Sequence, residues 1–146
     1  MTGQPEIGVS RFRSDEAGRV TADAVQAWHR EGLLVIEDFA SLDQCRQLIS
    51  AADALVEDFD EEEVAAIFST TSQQHAASEY FETSGDKIRC FFEEGAFDST
   101  GKLVVPKSKS INKIGHALHD LNPVFERFSY QPRLANLVAQ LGISDP

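Results

Sequence analysis

Apolar residues recur at three- and four-residue steps from Cys45 through Leu48, Ile49, Ala52, Leu55 and Val56 to Phe59, a period that a helix turns into one continuous stripe. Directly ahead of it, Ser41-Leu42-Asp43-Gln44 has the spacing of a capping box, in which the Ser hydroxyl and the Gln amide satisfy orphan backbone donors. The stripe is expected to be core. A shorter helix is expected from Thr21, a capping residue, through Trp28, ending at Gly32, which can take the left-handed turn after a helix. Leu33-Leu34-Val35-Ile36 then reads as a buried strand. Further on, Lys87 to Phe92 alternates enough to predict a strand with Ile88, Cys90 and Phe92 on one face. Asp98-Ser99-Thr100-Gly101 supplies a turn before Leu103-Val104-Val105, so a hairpin is the simplest fit. Asn122-Pro123 marks a helix start, because Asn can cap and Pro at the first helical position gives up only an unneeded donor. Pro132 repeats that logic, with Leu134, Leu137, Val138 and Leu141 as a helical stripe and Gly142 placed to stop it.

Two stretches carry no clear period. Residues 1–20 mix Gly, Pro, Ser, Arg and Glu and read as a flexible lead-in ahead of a folded part over 21–146. From Asp60 to Thr83 the pattern loosens, with Val64, Ile67 and Phe68 hinting at a helical turn before the polar stretch Ser69 to Gln74.

The composition is that of a globular protein, 42% hydrophobic and 25% charged over 146 residues, so disorder throughout is not expected. Thirteen basic against twenty-four acidic residues leave a net charge of -11, which repels phosphate backbones and anionic lipid and argues against nucleic acid and membrane partners. The acidity is concentrated in the run from Glu57 to Glu63, which reads as a solvated face. Cys45 and Cys90 sit in apolar patterns without Cys-x-x-Cys spacing, which suits buried thiols in a reducing compartment, and a cytoplasmic location is expected.

Among residues able to do chemistry, Lys113 stands out. If Ser110 to Gly115 is extended, its ammonium shares a face with Ile111 and Gly115, an apolar and locally roomy setting suited to a carboxylate. The plainer alternative is a surface lysine guarding an edge strand. His29-Arg30-Glu31 spells a His-x-carboxylate pattern, but at the end of a helix residues two apart point to nearly opposite sides, so chelation is not expected. His116 and His119 could share one helical face and offer two imidazoles to a metal, or simply shape a pocket wall. His75 and Glu79 have helical spacing within a polar stretch and read as loop. Ser84-Gly85-Asp86 reads as a turn in which Asp86 bonds nearby amides.

Ser84-Gly85-Asp86-Lys87-Ile88-Arg89 and Lys109-Ser110-Ile111-Asn112-Lys113-Ile114-Gly115-His116-Ala117-Leu118-His119 together resemble the N-terminal part of the phytanoyl-CoA dioxygenase family. That resemblance, which runs from about Thr21 to Gly142, implies an α+β architecture. The helices and first strands would belong to an apparently incomplete double-stranded β-helix, or jelly roll. It implies an oxygenase that uses Fe(II), 2-oxoglutarate and O2 on the C–H bond of a small molecule, with Lys113 contacting 2-oxoglutarate. Some members take CoA thioesters, an anion that Lys102, Lys107, Lys109 and Lys113 could face. The family binds iron through a His-x-Asp pair and a distant second His, and no segment here matches that stretch, so no metal ligand and no catalytic residue is assigned. The chain is therefore expected to be an N-terminal portion, inactive alone. The alternative is a non-catalytic interaction module that self-associates or pairs with a partner chain.

Overall fold

The computed structural model describes residues 9–60, 79–98, 100 and 102–144. In chain order the elements are β1 (Arg11–Phe12), α1 (Ala22–Glu31), β2 (Val35–Ile36), α2 (Leu42–Asp58), β3 (Ile88–Phe92), β4 (Ile111–His116), α3 (Leu118–Leu121), α4 (Pro123–Ser129) and α5 (Pro132–Gln140). Val64, Ile67, Phe68, the polar stretch that follows them and His75 lie outside the described residues, as do residues 1–8. Among the described residues the architecture mixes helices with two small two-stranded sheets, and the chain divides into two units, Met1–Leu42 with Ser129–Pro146 and Asp43–Phe128.

In the first unit α1 begins and ends as its residues dictate. The Thr21 hydroxyl accepts from the Ala24 amide, and Gly32, at φ 72°, donates to the Trp28 carbonyl. Ala24 and Ala27 are fully buried, and only small side chains fit where a helix backbone packs this closely. Parallel strands need a crossover, and α1 supplies it: β1 lies parallel to β2, with Arg11 opposite Val35 and Phe12 opposite Ile36.

The described part of the period-free stretch thus contains a strand, and a closed loop follows it. Asp15 Oδ1 accepts from the Ala17 and Arg19 amides. Three side chains of α5 hold this loop: Arg133 donates to the Ser14 hydroxyl, Asn136 to the Ala17 carbonyl, and Gln140 to the Gly18 carbonyl while accepting from the Val20 amide. Order here comes from polar groups more than a hundred residues away, which leave no local hydrophobic period to read. At the far end of α5, Gly142 takes φ 82° and its amide meets the Ala139 carbonyl, the expected helix stop.

In the second unit the long expected helix is present as α2, but none of its residues is fully buried. Cys45, Leu48, Ala52, Leu55 and Val56 are half-covered, while Leu42 and Ile49 are 75% and 61% exposed. The stripe expected to be core is only partly so. Its C-terminal carbonyls are capped by Lys107, whose ammonium donates to the Glu57 and Phe59 carbonyls at 2.7 Å each and lies 4.5 Å from the Phe59 ring centre. A cation at this end offsets the helix dipole as well as satisfying orphan acceptors.

The expected local hairpin is replaced by a longer pairing. Asp98 Oδ1 gathers the Thr100 amide, the Thr100 hydroxyl and the Lys102 amide into a tight turn, but the arms meet only at a single bridge between Phe97 and Leu103. The partner of β3 is β4, antiparallel, with Ile88 opposite His116, Arg89 opposite Gly115, Cys90 opposite Ile114, Phe91 opposite Lys113 and Phe92 opposite Ile111. The register shifts after Phe91, leaving Asn112 as the extra residue of a bulge. Cross-strand partners share a face, so Gly115 stays with Lys113, whereas the bulge turns Ile111 to the other side with Phe92.

Ile88, Cys90 and Phe92 share that other face as expected, and there Phe92 meets the rings of Phe59 and Phe97 at 5.7 and 4.6 Å. Cys90 is 3% exposed. Burial raises its thiol pKa, with the Lys107 charge acting weakly in the opposite sense. Near neutral pH a thiol reagent is therefore expected to label the half-buried Cys45 readily and Cys90 only on unfolding, which mass spectrometry before and after denaturant will check.

Candidate functional site

The face of the β3–β4 pair that carries Lys113 is covered by aromatic rings. Residues 79–82 are helical and bring Tyr80 and Phe81 edge-on to Phe91, at 5.4 and 5.8 Å between ring centres. Arg89 lies over the Tyr80 ring at 4.3 Å and donates to the Tyr80 carbonyl and the Thr83 hydroxyl, which ties this segment down on the strand. Phe91 is 8% exposed, so the anchor is a packed one.

The Lys113 ammonium lies 4.6 Å from the ring centres of both Phe81 and Phe91 and 3.1 Å from His116 Nε2. His116 completes the cup, edge-on to Phe81 at 5.5 Å and to Phe91 at 5.8 Å. Ring faces attract a cation through their quadrupoles without neutralising it. Beside the stem, a Cβ built on Gly115 would meet only Lys113 itself, Cε at 3.7 Å and Cδ at 4.0 Å, which is ordinary van der Waals contact, so the lysine stem does not require glycine here.

Hydrogen-bond direction follows from what each group can do. An ammonium only donates, so His116 Nε2 accepts and the ring carries its proton on Nδ1. That nitrogen is 2.8 Å from the Ser84 hydroxyl oxygen and 3.4 Å from the Ser84 carbonyl. Ser84 is completely buried and its hydroxyl donates to the Phe81 carbonyl. The chain of donors therefore runs from Lys113 through His116 and Ser84 to Phe81.

Among the described residues no carboxylate pairs with Lys113. The imidazole takes one of three ammonium donors, and a half-buried cation with spare donors and no counter-ion suits an anion such as a carboxylate. Lys113 and Ile114 of β4 also border a cavity of about 400 Å³, with Ala52, Asp53 and Val56 of α2 and Phe125 of α4. A smaller one of about 210 Å³, between Gln44, Leu48, Arg127 and Phe128, holds none of the residues that sequence marks as able to do chemistry.

The expected turn at Ser84-Gly85-Asp86 is present, but the buried tie is Ser84. Asp86 is largely exposed and faces Lys87 at 3.4 Å instead of bonding nearby amides. Of the lysines weighed as an anion-facing group, Lys107 is spent on the end of α2. His116 is a wall of the site with both ring nitrogens engaged, and His119 lies 3.4 Å from Asp120. Glu31 is held by Arg30 and Ser10, and the Arg30 hydrogen bond foremost lowers its pKa, so the carboxylate is already committed away from His29. Among the described residues no group of three His, Cys, Asp or Glu is placed to hold a metal ion, and these residues do not fit an iron site.

The site is built largely from one continuous motif, Ser110 to His116, with Phe91 brought to it by strand pairing and Phe81 and Ser84 by the helical residues and turn that lead into β3. The family model for phytanoyl-CoA dioxygenase matches residues 28–145, and the chain belongs to that family. It is 46% identical over 129 residues to a phytanoyl-CoA dioxygenase of Arabidopsis thaliana, an alignment covering 88% of this chain and 45% of that one. Similarity extends to the phytanoyl-CoA dioxygenase domain-containing protein 1 homolog of Dictyostelium discoideum, 40% identical over 86% of this chain and 44% of its own length. The protein of Danio rerio named phytanoyl-CoA dioxygenase domain-containing protein 1 is 40% identical over 87% and 45%. The chain spans about half the length of the curated relatives it matches.

Proposed function

We propose that this chain is the cosubstrate-anchoring N-terminal portion of an Fe(II)/2-oxoglutarate-dependent oxygenase, with the Lys113 ammonium holding a carboxylate of 2-oxoglutarate. The observation that carries the reading is that ammonium itself, cupped by Phe81, Phe91 and His116 and paired with no carboxylate among the described residues. A dicarboxylate supplies the missing counter-charge, and the two spare donors give it a charge-assisted hydrogen bond. In the family, O2 is the oxidant for C–H oxygenation, with bound iron activating it and 2-oxoglutarate giving up two electrons as it loses CO2. No step of that chemistry is assigned to the described residues, since they do not fit the metal. The two small sheets would be first strands of the jelly roll, and the iron ligands would come from polypeptide other than these 146 residues. Two unpaired thiols suit a reducing compartment such as the cytoplasm.

Oxygen consumption tests this reading. The isolated chain with Fe(II) and 2-oxoglutarate is expected to consume none above a protein-free control, and addition of the C-terminal half of the Arabidopsis relative is expected to restore uptake. Turnover by the isolated chain would contradict it. A second reading, a non-catalytic module, is favoured by the half-exposed apolar stripe of α2, where Leu42 and Ile49 stand in water. Light scattering tests that reading in its self-associating form, against which a monodisperse monomer at high concentration counts, while restored oxygen uptake with the C-terminal half counts against a non-catalytic partner.

A further inference from the structure

We infer that His116 is a positioning residue for the anion-binding ammonium: its Nε2 aims Lys113, and Ser84 fixes the tautomer that allows it to do so. The inference rests on the reading of Lys113 as the carboxylate anchor. A lysine ammonium on four rotatable bonds loses much of its freedom when it meets a ligand, and a partner that holds it beforehand removes that cost from binding. His116 is that partner at 3.1 Å.

The arrangement works in one tautomer only. A free imidazole prefers its proton on Nε2, which here would set two donors against each other. Ser84 reverses the preference. Its hydroxyl proton goes to the Phe81 carbonyl, leaving the oxygen lone pairs for Nδ1–H at 2.8 Å, with the Ser84 carbonyl as a further acceptor at 3.4 Å. The chain of donors also closes on itself: it ends on the carbonyl of Phe81, the residue whose ring lies under the ammonium where the chain begins. Displacing Ser84 would therefore release the imidazole, and with it the lysine.

Two measurements decide the matter. Nitrogen NMR of the histidine-labelled free chain near neutral pH should show His116 neutral and protonated on Nδ1, and Ser84→Ala should shift it toward the Nε2-protonated form. Titration with 2-oxoglutarate should show His116→Ala weakened by about tenfold, the usual range for a lost hydrogen bond to a charged group. His116→Gln, whose amide oxygen can still accept from Lys113, should recover most of the affinity, which a merely space-filling role would not predict. An Nε2-protonated or doubly protonated ring in the native chain, or full affinity in His116→Ala, would overturn the inference. Failure of the native chain to bind 2-oxoglutarate would instead sink the reading of Lys113 as anchor, while the tautomer measurement still decides how His116 holds it.

Discussion

Replacing Lys113 by Met is expected to weaken 2-oxoglutarate binding by roughly thirtyfold, the equivalent of about 2 kcal/mol. The magnitude follows from the setting. An ion pair in open water contributes at most about 1 kcal/mol, whereas truncating one partner of a buried pair costs about 2–5 kcal/mol. Lys113 is half-buried over two rings, so the lower end of the second range applies. Met keeps most of the apolar stem and the contact with Phe81 and Phe91, which isolates the charge from the packing. Lys113→Arg keeps the charge but must fit a planar fork into a cup that holds a compact ammonium, and it is expected to recover only part of the affinity. Calorimetric titration of the three chains measures both effects. Equal affinity in Lys113→Met would mean that the carboxylate is held elsewhere.

Gly18→Ala is expected to destabilise the unit formed by the two chain ends by about 3 kcal/mol. Two costs coincide. Gly18 sits at φ 83°, where any Cβ crowds its own backbone. A Cβ there would also stand 2.0 Å from the Arg133 carbonyl oxygen and 2.8 Å from its carbon, and backbone cannot rotate out of the way as a side chain can. Relief requires α5 to back off from the loop, which breaks the Gln140 bonds to Gly18 and Val20 and the Asn136 bond to Ala17. Urea unfolding followed by circular dichroism reads the loss directly. A midpoint unchanged by Gly18→Ala would show that the loop does not pack against Arg133 as described.

What could be read from the chain was local. Thr21, Gly32, Asn122 and Gly142 each act within three or four residues of where they stand, and each does what its chemistry predicts. The Asn122 side chain, for example, accepts from the Val124 and Phe125 amides. What could not be read depends on partners distant in sequence. The Ser14 to Val20 loop owes its order to Arg133, Asn136 and Gln140, and β3 passes over the nearby Leu103 to Val105 arm to pair with β4.

The site shows the same division. Gly115 lies beside Lys113 because alternation along a strand is local. Ile111 does not, because the Asn112 bulge is a property of the pairing. Phe81 and Phe91 carried no motif that marked them; the register sets Phe91 opposite Lys113, and the helical residues 79–82 lay Phe81 beside it. His116 could be placed as ligand or wall on spacing alone, and its two ring nitrogens are hydrogen-bonded to Lys113 and to Ser84.

The central claim, that Lys113 receives the cosubstrate carboxylate, is tested most directly by acetylating the chain in the presence of increasing 2-oxoglutarate and mapping modified lysines by mass spectrometry. Saturable protection of Lys113 is expected, with Lys102 and Lys109 modified at unchanged rates. Lys113 modified as fast at saturating 2-oxoglutarate as without it would mean that the carboxylate does not rest on this ammonium.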